Sequence, residues 1–142
     1  GEGIGFLDFV SIHVRRGANP TNPEEPNYSD NPFYVNLSET DYYEKAIAMF
    51  PVDKFLVFSD DVEYCREKWG KDERFKIMDQ GDELEDFNLM SSCTKGNIIA
   101  NSSYSWWAGF LNPSPSKKVI YPSKWFSDGL NRVGFPKEWI KI

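Results

Sequence analysis

The sequence has few of the residues that build the commonest metal and redox sites. Among its 142 residues there is one histidine, His13, and there are two cysteines, Cys65 and Cys93. A histidine-ligated metal site is therefore nearly excluded, and the two cysteines lack the spacing of a zinc site or a redox pair. We expect no bound metal or cofactor and two buried thiols.

Several long-range sequence signals are also missing. No hydrophobic run approaches the ~18 apolar residues of a membrane span, and residues 1–10 lack the basic start of a signal peptide. No Walker loop or Gly-x-Gly-x-x-Gly motif is present. The net charge of −6 argues against a nucleic-acid binder, which usually has a basic face. We expect a cytoplasmic protein without a transmembrane segment, and leave peripheral membrane association open.

What the chain does contain is an alternation of apolar and amphipathic segments. Strands are predicted at 6–14, 55–58, 75–78, 98–100 and 118–121, and a helix pattern follows each of the first four. This alternation predicts a single domain over 1–142 with an α/β fold, a Rossmann-like open parallel sheet with helices on both faces. A long, proline-rich loop occupies 17–37, and we expect the tail at 122–142 to pack across the domain.

The segment 97–112 combines a short apolar strand, a polar corner and a helix. Trp107, Phe110 and Leu111 recur at the spacing of one apolar helix face. Ser102 or Ser103 is a natural N-cap, and free N–H groups at the start of a helix attract phosphate. The alternative is that this serine-rich turn does no more than cap the helix.

Polar clusters follow the carboxyl ends of the predicted strands, at 15–16, 59–61, 79–86 and 101–105. Ligands of open parallel sheets bind beyond these ends, so we expect one composite site. Arg15 and Arg16 should point to opposite faces. An arginine fork suits a diphosphate, because two parallel N–H bonds meet two oxygens. Two solvated surface arginines are the alternative.

Two further groups have structural and functional interpretations. One of Asp60 and Asp61 should cap the following helix, which leaves the other to meet a ligand hydroxyl or a guanidinium. His13 is either a satisfied core group or a ligand contact. The acidic residues at 79–86 lack the spacing of an EF-hand loop and are mostly expected to form a solvated face.

Five motifs, read in order, resemble one enzyme family. They are His-Val-Arg-Arg-Gly, Asp-Tyr-Tyr-Glu-Lys-Ala-Ile, Phe-Leu-Val-Phe-Ser-Asp-Asp, Asp-Phe-Asn-Leu-Met-Ser and Asn-Ser-Ser-Tyr-Ser-Trp-Trp-Ala. From about residue 10 to residue 126 they look like the α-1,2-fucosyltransferases of glycosyltransferase family 11. The resemblance implies two Rossmann-like domains of GT-B type, a GDP-fucose donor, a carbohydrate acceptor, no metal, and inversion at the anomeric carbon.

The resemblance also implies roles for individual residues. Arg15 would bind the donor β-phosphate and stabilise the leaving GDP, with Arg16 supporting the same corner. Asp86 would accept hydrogen bonds from guanine. The remaining implied donor contacts are His13 in the nucleotide pocket, Asp60 or Asp61 beside the guanosine, and Ser102, Ser103 and Ser105 on the diphosphate.

The chain departs from the family pattern in two places. Ala18 stands where the family usually has aspartate, and the amino-terminal Gly-x-Gly-Asn-Gln segment is absent. We therefore expect the donor-binding part of a two-domain enzyme whose N-terminal domain is missing. Glu24 and Glu25 are guesses for the general base. The rival interpretation is a GDP-sugar-binding module without transferase activity of its own.

Overall fold

The computed structural model describes residues 7–16, 34–130 and 132–142. A short 3₁₀ helix, Leu37–Glu39, precedes the first α-helix. The strands are β1 (Val10–Val14), β2 (Phe55–Ser59), β3 (Phe75–Ile77), β4 (Gly96–Ile98), β5 (Lys118–Tyr121) and β6 (Ile140–Lys141). The helices are α1 (Tyr42–Ala48), α2 (Val62–Trp69), α3 (Glu83–Ser91) and α4 (Ser103–Leu111).

The described strands form a single six-stranded sheet with the order β3-β2-β1-β4-β5-β6. Every neighbouring pair is parallel. The predicted α/β class, an open Rossmann-like parallel sheet, is confirmed. From β1 to β3 the strands are added on one side of β1, and from β4 to β6 they are added on its other side. The switch point of the sheet therefore lies between β1 and β4, and crevices at such points bind the ligands of open sheets.

The central strands are buried because both faces of the sheet are covered. All five residues of β1 are buried, as are the first four of β2. Along β1, Val10, Ile12 and Val14 pack in one core cluster, whereas His13 lies against Tyr104 of α4 on the other face. This alternation follows from the two-residue period of a strand.

Helices cover the two faces in pairs. Helices α1 and α2 supply Tyr43, Ala46, Cys65 and Trp69 to one core cluster, and α3 and α4 supply Met90 and Ala108 to the other. The segment after β5 brings Trp125 and Trp139 into a third cluster, with Ile99 and Val119. The predicted tail therefore adds apolar packing and also the sixth strand. That strand has two residues, too few to produce a recognisable pattern.

The cysteines behave as predicted. Both are free and buried. Burial disfavours the thiolate and raises the pKa of Cys65 to about 11 and that of Cys93 to about 12.

Helix α4 is oriented differently from what its bulky residues suggest. Trp107, Phe110 and Leu111 are about half exposed, at 50%, 47% and 53%. The buried residues of the helix are the small ones, Ser105, Ala108 and Gly109. A Cβ on Gly109 would lie 3.2 Å from Val119 Cγ1, so the helix approaches the sheet closely only through small side chains. Periodicity located an apolar face but did not identify the face that meets the sheet.

Two helix starts complete the description. Leu84, in the first turn of α3, is 69% exposed, and Met90 is the buried residue of that helix. Ser38 lies in the 3₁₀ helix, and Asp41 occupies the N-cap position of α1.

Candidate functional site

Two cavities lie at the carboxyl ends of the strands, beside the switch point between β1 and β4. Their volumes are about 460 Å³ and about 330 Å³. Arg15, which follows β1, and Tyr104, in the first turn of α4, line both of them. The cavities therefore meet at a guanidinium and at the start of a helix, where the helix dipole is positive.

The smaller cavity contains a neutral histidine. His13 is 8% exposed, and its Nδ1 has no hydrogen-bond partner among the described residues. Burial and the adjacent Arg15 cation lower the pKa of His13 to about 3, because both disfavour the imidazolium. The imidazole is therefore uncharged at neutral pH and can exchange hydrogen bonds with a ligand without carrying charge.

Asp86 lines the same cavity from α3. Its Oδ1 is buried and has no hydrogen-bond partner in the described part of the chain. Burial raises the pKa of this carboxyl, and the acidic neighbours Glu85, Asp82 and Glu83 raise it further. Asp82 is the residue that caps α3, accepting from the Glu85 backbone N–H at 2.9 Å. Asp86 is thus not the helix cap and remains available to a ligand.

The larger cavity is walled mainly by aromatic side chains. Its lining comprises Arg15, Tyr34, Asn101, Ser102, Ser103, Tyr104, Trp106, Trp107, Trp125, Phe126 and Val133. The polar members come from the end of β1 and from the corner after β4. The cavity therefore has an apolar wall and one polar side, which is the usual composition of a small-molecule site.

The corner between β4 and α4 is built by its serines. Ser102 is the N-cap of α4, as predicted, and its hydroxyl accepts from the Tyr104 N–H at 3.2 Å. Ser103 is exposed and lines the larger cavity. Ser105 is 1% exposed, and its hydroxyl accepts from the Ala100 N–H at 3.1 Å. Ser105 therefore braces the corner from beneath and is not among the residues that line either cavity.

Arg15 and Arg16 leave β1 towards opposite sides, as the strand period predicts. Arg15 follows the side of His13 into the cavities. Arg16 turns to the side of α2, where its guanidinium donates to Asp61 Oδ2 at 2.5 Å and to Ser38 Oγ at 3.1 Å. Arg15 is therefore a cavity residue, whereas Arg16 ties the end of β1 to Asp61 and Ser38.

The two aspartates after β2 also divide their roles. Asp61 caps α2 by accepting from the Tyr64 N–H at 3.2 Å, so it holds both the helix and Arg16. Asp60 lines the smaller cavity and accepts from the backbone N–H of Arg16 at 3.0 Å. The prediction that one of the pair caps the helix is confirmed for Asp61.

The structure brings most of the sequence-predicted site residues together. Those that line a cavity are His13, Arg15, Asp60, Asp86, Ser102 and Ser103. Arg16 and Asp61 pair beside α2, and Ser105 braces the corner between β4 and α4, so these three residues do not line a cavity. Ligand contact by any of these side chains stays a prediction. Gly17, Ala18, Glu24 and Glu25 lie outside the described residues.

Sequence reasoning gave no site role to several residues that line the cavities, among them Tyr104, Asn101 and the aromatic residues of the larger cavity. Tyr104 lines both cavities and Asn101 lines the larger one, and both residues lie in the polar corner that the sequence indicates. The tyrosines of the Asp-Tyr-Tyr motif support the strand ends. The Tyr43 hydroxyl donates to the His13 carbonyl at 2.7 Å, and the Tyr42 hydroxyl donates to the Ile99 carbonyl at 2.6 Å. The motif could be recognised in the sequence, but the sequence did not show that its tyrosines support the strand ends.

The described ranges contain neither a cluster suited to a metal ion nor a membrane-spanning helix. No group of three or more histidine, cysteine, aspartate or glutamate side chains there is placed to hold a metal ion. No helix in those ranges is long and apolar enough to cross a membrane. Metal-free donor binding stays a prediction.

Comparison with known proteins agrees with the motifs. The model of Glycosyl transferase family 11 matches residues 2–142. The O-antigen biosynthesis glycosyltransferase WbnK of Escherichia coli is 34% identical over 140 residues, which are 94% of this chain and 44% of that protein. An alpha-1,2-colitosyltransferase of Escherichia coli is 33% identical over 149 residues, covering 98% of this chain and 49% of that protein.

The chain thus spans less than half the length of these two curated relatives. No solved structure gives a significant match. The family model covers nearly the whole chain, and four of the five motifs that carry the resemblance contribute residues to the lining of the two cavities. The chain belongs to glycosyl transferase family 11.

Proposed function

We propose that this chain binds GDP-fucose as the donor part of an inverting fucosyltransferase, which transfers L-fucose to a sugar hydroxyl in an α-1,2 linkage to galactose. The observation that carries the proposal is the meeting of two cavities at Arg15. A sugar nucleotide has the complementary form, with a base and a sugar ring on either side of a diphosphate. Membership of the family supports a glycosyl donor.

The smaller cavity is the proposed guanine site. The Asp86 carboxylate has an unpartnered oxygen there, and guanine presents two adjacent donors, N1–H and the 2-amino group. Adenine lacks that pair. A buried acceptor without a partner is costly, so a ligand that supplies donors gains affinity and selectivity together. His13 and Asp60 are the proposed neighbours of the base and ribose.

The junction is the proposed diphosphate site. Arg15 supplies a fork of N–H donors, and the free N–H groups of the first turn of α4 add their dipole beside Ser102 and Ser103. Negative charge grows on the β-phosphate as the bond to fucose breaks. Donors already aimed at that charge stabilise the transition state more than the ground state.

The proposed chemistry is a single displacement at fucose C1. An acceptor hydroxyl attacks from the face opposite the diphosphate, the bond between C1 and the β-phosphate oxygen breaks, and the configuration inverts. The acceptor proton passes to a base, for which Glu24 and Glu25 remain sequence-level candidates. In this scheme Arg15 and the start of α4 stabilise the negative charge of the leaving group, and no metal ion is assigned to that task.

The name of one relative supports the linkage and leaves the transferred sugar to be tested. One is named an alpha-1,2-colitosyltransferase, which supports transfer to a 2-hydroxyl. Colitose, the sugar in that name, is the competitor to fucose. GDP-fucose and GDP-colitose should therefore be compared as donors in the same titration.

The second candidate function is a GDP-sugar-binding module with no turnover of its own. The proposed donor contacts all line the two cavities, whereas no described residue is assigned to the acceptor. In a GT-B arrangement the acceptor lies between two domains, so an N-terminal domain would supply the second wall of the cleft. Correct positioning of two reactants contributes up to about 7–11 kcal/mol to catalysis.

The test is incubation of the purified chain with labelled GDP-fucose and a panel of β-galactosides. We expect GDP-fucose to bind, slow hydrolysis to water, and little or no fucosylated product. Robust product formation would contradict the half-enzyme interpretation. Failure to bind either GDP or GDP-fucose would contradict the proposal itself.

A further inference from the structure

The larger cavity has an aromatic wall that the polar corner does not explain. Trp106 is fixed there, with its indole N–H donating to the Gly134 carbonyl at 3.0 Å and its ring stacked on Phe110. Trp107 lines the same cavity but is 50% exposed. A large aromatic side chain left half in water at the rim of a cavity offers a contact surface to a ligand.

Asn101, which also lines this cavity, has one unsatisfied polar atom. The residue is 1% exposed, and its Nδ2 donates to the Val35 carbonyl at 2.8 Å and to the Trp125 carbonyl at 3.0 Å. These two bonds fix the orientation of the amide. Its Oδ1 is buried and has no hydrogen-bond partner among the described residues. A buried carbonyl oxygen in this state is satisfied when a ligand supplies a donor.

The combination suits a pyranose ring. Such a ring has a C–H face that packs on an indole and hydroxyl groups that donate to a carbonyl oxygen. The position of Arg15 indicates which ring of the ligand lies in this cavity. Because Arg15 lines both cavities, a ring joined to a phosphate at that residue falls in the larger cavity when the base occupies the smaller one.

We infer that the larger cavity binds the transferred deoxyhexosyl ring of the donor, with Trp107 packed on its C–H face and Asn101 Oδ1 accepting from one of its hydroxyls. This inference rests on the proposed function. It adds two residues that select the sugar rather than the nucleotide. Trp107 is the better probe of the two, because substitution of Asn101 would also remove the bonds that hold Val35 and Trp125.

The experiment compares the affinity of the chain for GDP with its affinity for GDP-fucose by calorimetric titration. Trp107→Ala should raise the Kd for GDP-fucose about five- to tenfold, the range for loss of one aromatic contact, and leave the Kd for GDP within about twofold. Leu111→Ala is the matched control. Leu111 lies one turn later on the same helix, is 53% exposed, and is not among the residues that line the cavity. It should change neither Kd.

Three results would overturn the inference. If Trp107→Ala leaves both affinities unchanged, the indole does not contact the sugar. If it weakens GDP and GDP-fucose equally, the base or diphosphate occupies this cavity instead of the sugar. In both cases the parent chain still binds GDP, so the proposed function stands. If the parent chain binds neither ligand, the proposed function fails and the inference fails with it.

Discussion

Acidification should destabilise this chain through His13. The imidazole is 8% exposed and lies beside the Arg15 cation, and these surroundings lower its pKa from 6.5 to about 3. In the unfolded chain the same group takes a proton as the pH falls below about 6.5. Between these two values the unfolded state binds more protons than the folded state. The free energy of unfolding contributed by His13 therefore decreases as the pH is lowered through this window.

The size of the effect follows from the pKa difference. Each unit is worth 1.36 kcal/mol, so the span from 6.5 to about 3 corresponds to at most about 4–5 kcal/mol of stability. Asp86 acts in the opposite direction. Its pKa is raised in the folded state, so its contribution favours folding as the pH falls. The contribution of His13 to the pH dependence of the unfolding free energy must therefore be isolated with a variant that lacks the histidine.

The assay is urea unfolding of the parent chain and of His13→Gln at several values between about pH 7 and about pH 4.5, a range in which only the parent carries the histidine term. The parent should lose more stability than the variant over this range. The carboxylates are common to both proteins and cancel in the comparison. Equal losses in the two proteins would refute the reasoning and would mean that the folded state protonates His13 at its ordinary pKa.

Three other changes give separate outcomes. Arg15→Lys should weaken GDP binding by about 1.5–3 kcal/mol in titration while unfolding is unchanged, because lysine keeps the charge but loses the fork; unchanged affinity would place Arg15 outside the site. Arg16→Lys should instead lower thermal stability, because the guanidinium holds Asp61 and Ser38 at once and lysine cannot reproduce both bonds; a loss confined to GDP binding would contradict that role. Gly96→Ala should reduce the unfolding free energy by at least about 2–3 kcal/mol. Gly96 has φ +139°, and its Cβ would lie 2.1 Å from the Lys118 carbonyl oxygen, so near-parental stability would contradict the close approach of β4 and β5.

Much of the fold could be predicted because its signals are local. The continuous apolar run of β2 reflects a strand covered on both faces, and the two-residue strand period places Arg15 and Arg16 on opposite sides. Ligands of such sheets bind beyond the carboxyl ends of the strands, so the polar clusters that follow those ends could be assigned to one edge of the sheet. These inferences need only neighbouring residues and the topology of a parallel sheet.

The remaining features depend on contacts between distant segments. Helix α4 meets the sheet through Ala108 and Gly109 because Val119 leaves room only for small groups, and its own sequence does not contain that information. Asn101 becomes a cavity residue because Val35 and Trp125 supply the carbonyls that orient it. A sequence pattern identifies the corner but not the segments that close over it.

Asp82 and Asp86 show the same limit within a single helix. Both are acidic residues near the start of α3, and either could serve as its cap on pattern alone. Only the structure assigns the cap to Asp82 and leaves a buried oxygen of Asp86 without a partner among the described residues. Recognition of the base by Asp86 is therefore the proposal that most needs an experimental test.

The most direct test of donor recognition is titration of the parent chain and of Asp86→Asn with GDP and with ADP, without added divalent metal. The parent should prefer GDP, because the carboxylate accepts from two donors that only guanine presents. An amide accepts one donor and points its NH₂ group at the other, so the variant should lose about 1–3 kcal/mol of that preference and retain its affinity for the diphosphate. Equal affinity of the parent for both nucleotides, or equal weakening of both by the substitution, would contradict guanine recognition at this site.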